Sequence, residues 1–210
     1  MRTLRILALS GVLLGSARPA GAQARVRAAT VSLSEGTAQA RRGQGIPHDL
    51  RQGSSVQPDD VVETGEDSRL ELKLPDASVL RLGPQARLEL GSGAAKGPLA
   101  VRLLVGSLWA KVTPAAGRAP ALRVETKNAV AEARGTTFRV DAHQDRSVQV
   151  RVYSGTVAVR RDAWEKVLGR QMQILISADG TPGVPAPFSE ADEKSDDWSA
   201  WNRKRDEQGK

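Results

Sequence analysis

Three side chains that could hold a cation stand at alternate positions, Asp141, His143 and Asp145. Carboxylate and imidazole donors suit a divalent metal. The stretch that carries them, DAHQDR, joins two apolar runs, and there Asp is an ordinary turn residue. The turn role is the expected one, so no metal or other cofactor is assigned. His48 stands alone beside Pro47 and reads as a loop residue. The chain has two histidines and no cysteine, so thiolate ligands and thiol nucleophiles are excluded and no nucleophile–base pair stands out. Carboxylates are plentiful, but Asp59 and Asp60 precede a strand and Asp76 lies in a turn, both good structural positions. A hydrolase would need two of them facing each other across a cleft. The stretch GSGAAKG, residues 91–97, has Gly97 after Lys96 where a phosphate loop needs Ser or Thr. No catalytic residue is assigned, and the chain is not expected to be an enzyme.

The elements around these residues are strands. From Val124 to Arg160 three runs alternate apolar and polar residues: Ala129, Ala131 and Ala133; Phe138 and Val140; Val148, Val150 and Val152. A period of two with many β-branched residues, broken by Gly and Asp, reads as half-buried strands. The same period runs through Leu70, Leu72 and Leu74, then Leu80 and Leu82, then Leu88 and Leu90, which suggests a three-stranded meander. Val26 to Leu33 and Gly36 to Arg42 read as the opening strands. Leu99 to Val105 and Gly106 to Val112 read as another pair, with Trp109 inside, and Trp164 to Leu168 and Gln171 to Ile176 as the last ones. Gly36-Thr37, Gly106-Ser107 and Gly155-Thr156 each open an alternating run, a repeated strand-entry turn in which Gly supplies a positive φ and the hydroxyl bonds nearby backbone.

The ends differ in composition. Arg2 and Arg5, an apolar run from Leu4 to Leu14, and Ala22-Gln23-Ala24 have the pattern of a cleaved signal peptide over residues 1–24. The other reading is an uncleaved anchor, but a run of about eleven residues falls short of the roughly 20 needed to span a bilayer. No stable membrane span is expected after cleavage, and the protein is expected to be periplasmic or otherwise exported. The chain has 31 Lys and Arg against 24 Asp and Glu, so losing the leader's three arginines (Arg2, Arg5 and Arg18) lowers the net charge from +7 to +4. The remaining cations are spread over the polar positions of strands, which reads as a solvated face. With seven aromatic residues and no basic cluster, a nucleic-acid partner is not expected. Residues 25–178 form the β-domain, 179–188 a Gly/Pro-rich linker, and 189–210 a charged helix capped by Ser189. Its acids cluster early and Arg203, Lys204 and Arg205 come late, which suits the helix dipole. Trp198 and Trp201 share one face of that helix. They either dock on the β-domain or present a partner surface, and paired tryptophans are costly to leave wet.

Taken together, these segments resemble a FecR-type domain, the periplasmic sensor-regulator domain named for ferric-citrate signalling. The residues that carry the likeness are Asp60-Val61-Val62-Glu63-Thr64-Gly65, Asp76-Ala77-Ser78, Arg134-Gly135-Thr136-Thr137-Phe138 and Tyr153-Ser154-Gly155-Thr156-Val157, within about Gly36 to Ile176. Ala77 stands where the family commonly has Gly. The resemblance implies an all-β fold of short antiparallel strands in a twisted barrel- or β-helix-like body. It also marks Gly135, Thr136, Phe138 and Gly155 as its structural centre. In the regulators that name the family, the domain follows a cytoplasmic anti-sigma segment and a membrane helix, and it relays receptor occupancy. With only a leader before the domain, direct control of a sigma factor is not expected here. The resemblance implies a protein-binding sensor or adaptor of the cell envelope, acting through a sheet edge or through the helix face with Trp198 and Trp201. Its partner would be an envelope protein. The alternative is a scaffold that binds a surface polymer such as peptidoglycan or polysaccharide, and an exported hydrolase is the remote one.

Overall fold

The computed structural model describes residues 28–91, 97–114, 121–189, 191, 193 and 196–208. The leader, most of the Gly/Ala loop after Leu90, and residues 190, 192, 194, 195, 209 and 210 of the expected tail helix lie outside these. The strands are β1 (Ala29–Glu35), β2 (Ala38–Arg42), β3 (His48–Asp49), β4 (Ser55–Val56), β5 (Asp60–Thr64), β6 (Arg69–Lys73), β7 (Val79–Leu82), β8 (Arg87–Leu90) and β9 (Leu99–Lys111). Then come β10 (Leu122–Glu125), β11 (Val130–Ala133), β12 (Thr137–Ala142), β13 (Val148–Ser154), β14 (Val157–Arg161), β15 (Trp164–Leu168), β16 (Met172–Ile176) and β17 (Ala186–Pro187), followed by one helix, α1 (Asp197–Gln208).

Short turns send the chain back and forth between two sheets. Sheet A runs β4-β1-β6-β7-β9-β12-β13-β16-β17. Sheet B runs β3-β2-β5-β8-β9-β10-β11-β14-β15. Every pair is antiparallel except β9 with β10. The all-β body with a C-terminal helix is as expected, but the sheets stay open at their ends and do not close into a barrel. Leu70, Leu72, Leu80, Leu108, Phe138 and Val150 of sheet A share one apolar core with Val62, Leu88, Val101, Val124 and Val159 of sheet B. Each inward Val, Leu or Phe contributes about 1.5–3 kcal/mol when fully buried.

Two expectations need correction. The 99–112 stretch is one 13-residue strand, not a pair. Its first half pairs with β8 and β10 in sheet B and its second with β7 and β12 in sheet A. Inward residues are Leu99, Val101 and Leu103 before the crossing, then Leu108 and Ala110 after it. That change of parity needs a bend. Gly106 supplies it at φ +94, and a β-carbon there would lie 2.5 Å from the Ala86 backbone. The meander over Leu70 to Leu90 is also broken. β6 and β7 form a hairpin in sheet A, but the turn at Gly83–Ala86 sends β8 to sheet B, between β5 and β9.

The stretch 179–188, expected as a linker, lies along the domain instead. Gly183 N donates to the Leu175 carbonyl at 2.8 Å, β17 pairs with β16, and Phe188 is buried against Tyr153. The Asp76-Ala77-Ser78 turn is kept, with Ser78 N donating to Asp76 Oδ1 at 3.0 Å. Ala77 sits at φ +63, a conformation that glycine adopts freely. Left-handed backbone costs a residue with a β-carbon about 1–2 kcal/mol, while glycine loosens the unfolded chain by about 0.4–1 kcal/mol. Ala77→Gly is therefore expected to stabilise the domain by about 0.5–1 kcal/mol, read as a higher urea midpoint at unchanged slope.

Candidate functional site

The polar positions of sheet A do not face solvent. Glu71 on β6, Arg81 on β7, Trp109 on β9, Arg139 on β12 and Arg151 on β13 are successive register partners, one row across five strands. They point away from the apolar core, and α1 lies over them. Four strand spacings make about 19 Å, and a 12-residue helix is about 18 Å long. The helix and its cap thus reach from Glu71 to Arg139, and Glu193 just before them meets Arg151 at 3.6 Å. The solvated face expected for these cations is corrected here: Arg81 is 4% exposed and Arg139 9%.

The helix begins at Asp197 and is capped by Asp196, not by Ser189. The Asp196 carboxylate caps the first turn, accepting from the backbone N–H of Trp198 and Ser199 at 3.1 and 3.2 Å. The same carboxylate pairs with Arg139, which also holds Asp141 at 2.8 Å and Ser199 Oγ at 2.9 Å. At the other end Asp206 takes Arg81 at 2.8 Å and the Trp109 indole N–H at 3.1 Å. Arg81 and Arg205 both reach Glu71, at 2.7 and 3.1 Å. Glu193 accepts from the Tyr153 hydroxyl at 2.7 Å and pairs with Arg203 at 3.1 Å.

These pairings set the protonation states. Burial pushes the Glu71 carboxyl upward, but hydrogen bonds from Arg205, Arg81 and Ser32 outweigh it and bring the pKa down to about 2. Burial also disfavours the Arg139 cation, and Asp141 and Asp196 more than restore it, so the group is held charged. Burial and the Glu193 carboxylate push the Tyr153 phenol well above its ordinary range, against the lowering effect of Ser199.

Aromatic rings complete the face. Trp109, expected inside, is 1% exposed, yet it lies on the outer side of sheet A and stacks at 4.3 Å on Tyr153. Trp198 is 7% exposed and packs over Gly83. Of the two roles open to the tryptophan pair, docking is the one Trp198 adopts. Trp201 is half-buried, stacked on Trp198 at 5.3 Å, with the guanidinium groups of Arg69, Arg81 and Arg205 at 5.2, 5.9 and 5.6 Å from its ring centre.

The other expected residues take structural places. Gly135, Thr136, Phe138 and Gly155 come together where β12 and β13 begin and end. Thr136 Oγ1 lies 3.0 Å from the carbonyl oxygens of both Arg134 and Thr156. A β-carbon on Gly155 (φ +79) would lie 2.8 Å from the Gly135 carbonyl. Phe138 is fully buried in the core. Asp141 belongs to β12, not to the loop, and its carboxylate is taken by Arg139 and Arg151, whereas His143 and Asp145 are exposed in the turn. Among the described residues no His, Asp and Glu cluster could hold a metal ion. His48 is exposed, Asp60 pairs with Arg42 at 2.8 Å, and no described helix is long and apolar enough to cross a membrane.

Arg139→Ala leaves Asp196 without its cation and Asp141 with Arg151 alone. Breaking a buried pair costs about 3–5 kcal/mol, and the loss is expected near the lower figure because Asp196 is partly exposed. Urea unfolding of the variant checks it. The pH response has a definite sign. Glu71 and Asp196 both titrate below their ordinary values of 4.5 and 3.8, so their stabilisation is full above about pH 4.5 and is lost as pH falls toward about 2. Tryptophan emission is expected to shift to the red over that window as α1 leaves the sheet. Removing one of the donors by Arg205→Ala should move the onset to higher pH; an unmoved onset would mean that the Arg205 contact is inert.

The family model described as FecR protein matches residues 60–158, from the first residue of β5 into β14. Two crystal structures of a candidate anti-sigma factor from Parabacteroides distasonis ATCC 8503 resemble this fold, each with a TM-score of 0.55 and 21% identity. Each comparison covers 61% of this chain but only 60% of the other, and at that identity the likeness is one of fold. No match was found among curated proteins. The matched span holds the turns of the likeness, the crossing strand β9 and all five strands that carry the charged row: residues 60–158 of this chain are a FecR domain.

Proposed function

We propose that this chain is an exported, non-enzymatic sensor or adaptor of the cell envelope that works by binding another protein. The observation that carries the reading is the outer face of sheet A, where five strands of a FecR domain hold a helix through buried ion pairs and stacked rings. Side chains in such a face are tied to one another and none is left poised to attack a substrate. They suit recognition of a charged helical surface, with positive and negative groups setting register and excluding wrong partners. The description of the two structural neighbours as candidate anti-sigma factors supports a regulatory role. The signal-peptide pattern of residues 1–24 supports export, with cleavage after Ala24 and a mature chain beginning at Arg25.

Photo-crosslinking in intact cells tests this. One reporter replaces Trp201 on α1, and a second replaces Val167, which is 63% exposed on the edge strand β15. The expected result is one dominant crosslinked envelope protein, from a periplasmic fraction in which the mature mass starts at Arg25. Crosslinks to peptidoglycan alone, with the purified protein retained on isolated sacculi, would overturn the reading in favour of a polymer-binding scaffold. A cytoplasmic protein with an intact leader would overturn the export.

A further inference from the structure

α1 is an unusual cover for a sheet. Its buried residues are Trp198, Ser199 and Asn202, two of them polar, and its other contacts are mostly polar: ion pairs to Arg81, Arg139 and Glu71, the Trp109 indole N–H on Asp206, and guanidinium groups over the Trp201 ring. Attraction in a buried pair is largely offset by the desolvation of both ions, so such contacts select a geometry more than they hold it. The indole Nε1 of Trp198 is buried with no acceptor among the described residues, a donor that water would satisfy if the helix lifted. A helix of 12 residues is marginal by itself in water. The opposite face of the same sheet is tied by fully buried Leu, Val and Phe side chains. The join between α1 and its row is therefore held less by apolar burial than the join between the two sheets.

The face beneath is specific about what it accepts. Sheet A contributes Lys73, Arg81, Lys111, Arg139 and Arg151 against Glu71 and Asp141, an excess of cations. The helix brings Asp196 to Arg139 and Asp206 to Arg81, on either side of Trp109 in the row, with Ser199 and Asn202 on the same side and Trp198 between the two carboxylates in sequence. Asp196, Ser199, Asn202 and Asp206 recur at the helical spacing of three to four residues. Beside the last turn the sheet face continues into a cleft of about 680 Å³ that Lys73 and Lys111 line, so a helix longer than α1 meets Lys73 as a further cation.

We infer that this face is an exchangeable docking surface, with α1 as its resident occupant and an acidic, tryptophan-bearing helix of the partner protein as its regulatory one. The inference rests on the regulatory reading above and names the partner's chemistry: carboxylates about ten residues apart for Arg139 and Arg81, and an indole between them. A tethered α1 competes at high effective concentration, so an incoming helix binds only when it offers more contacts or when α1 is weakened.

The probe is a fluorescent peptide of residues 196–208, added to the full chain and to its Trp198→Ala variant. Anisotropy is expected to show at least tenfold tighter binding to the variant, weakening as salt is raised. Adding Arg139→Ala to that variant is expected to abolish it. A peptide with both Asp196 and Asp206 changed to Lys should bind neither chain. If Trp198→Ala does not keep the native far-ultraviolet spectrum, Asp206→Asn replaces it as the loosened chain. Equal affinity for the loosened and native chains, or no binding to a folded loosened chain, would overturn the proposal. The two readings can fail separately. An envelope partner whose crosslinking survives Arg139→Ala would sink the docking surface and leave the regulatory role. Peptide exchange with no envelope partner would sink the role and leave the surface.

Discussion

The arrangement depends on β9 changing sheets inside a single strand. A residue that points into the space between two facing sheets points outward if the strand is simply continued into the opposite one, so the crossing must shift the alternation by one place. Gly106 does this at a backbone conformation open to glycine, with the Ala86 backbone packed where a side chain would begin. Once β9 has turned, Leu108 and Ala110 enter the core and Trp109 is put outside it. The placement of Trp109 decides the rest of the outer face. Arg81 and Arg139 are its register partners on either side, and Asp206 of α1 reaches both Trp109 and Arg81.

Two kinds of adhesion are thus separated by the thickness of one sheet. Between the sheets the contacts are apolar and follow the removal of side chains from water, which needs no particular partner. Under α1 the contacts are directional, since each carboxylate must meet its guanidinium at hydrogen-bond distance, and Glu71 serves Arg81 and Arg205 together. A mismatch on the first side leaves a cavity; on the second it leaves a buried charge, which is far more expensive per group. The outer face is therefore selective where the core is tolerant, and selectivity is what a recognition surface requires.

Much of this was legible in the residues. Alternation located nearly every strand, and the family likeness rested on turns whose geometry is kept, including Ala77 at a glycine-like φ. The failures share a cause. Gly106 looked like an interruption because a glycine within an apolar run marks a bend, and a bend inside one strand reads the same as a turn between two. The charged row was hidden for a different reason. A period of two says which side chains leave the core, and nothing local tells Arg81 and Arg139, which are buried, from Arg87 and Arg102, which sit on the more exposed side of sheet B. The signal lay far away in sequence, in a tail with acids and two tryptophans whose charge opposes that of the sheet. Ser189 was a reasonable cap by type, but Asp196 caps the helix and pairs with Arg139 at once, a double role only the fold could assign.

The same double role links stability to recognition. Asp196 caps the helix and anchors it, so losing its pairing with Arg139 and losing helical order are coupled events. Where the cap is the anchor, undocking exposes the first-turn N–H groups to water and shortens an already short helix. The undocked tail is then a disordered acidic segment, and re-docking must order it again. This ordering cost falls on α1 each time it returns, whereas a helix already formed within a folded partner does not incur it. A preformed acidic helix can thus compete with a tethered one of the same sequence chemistry, because the tether favours the resident in concentration and pre-organisation favours the newcomer. That balance, set on a row of ion pairs with little net adhesion of its own, is what would let occupancy of the face report the presence of a partner.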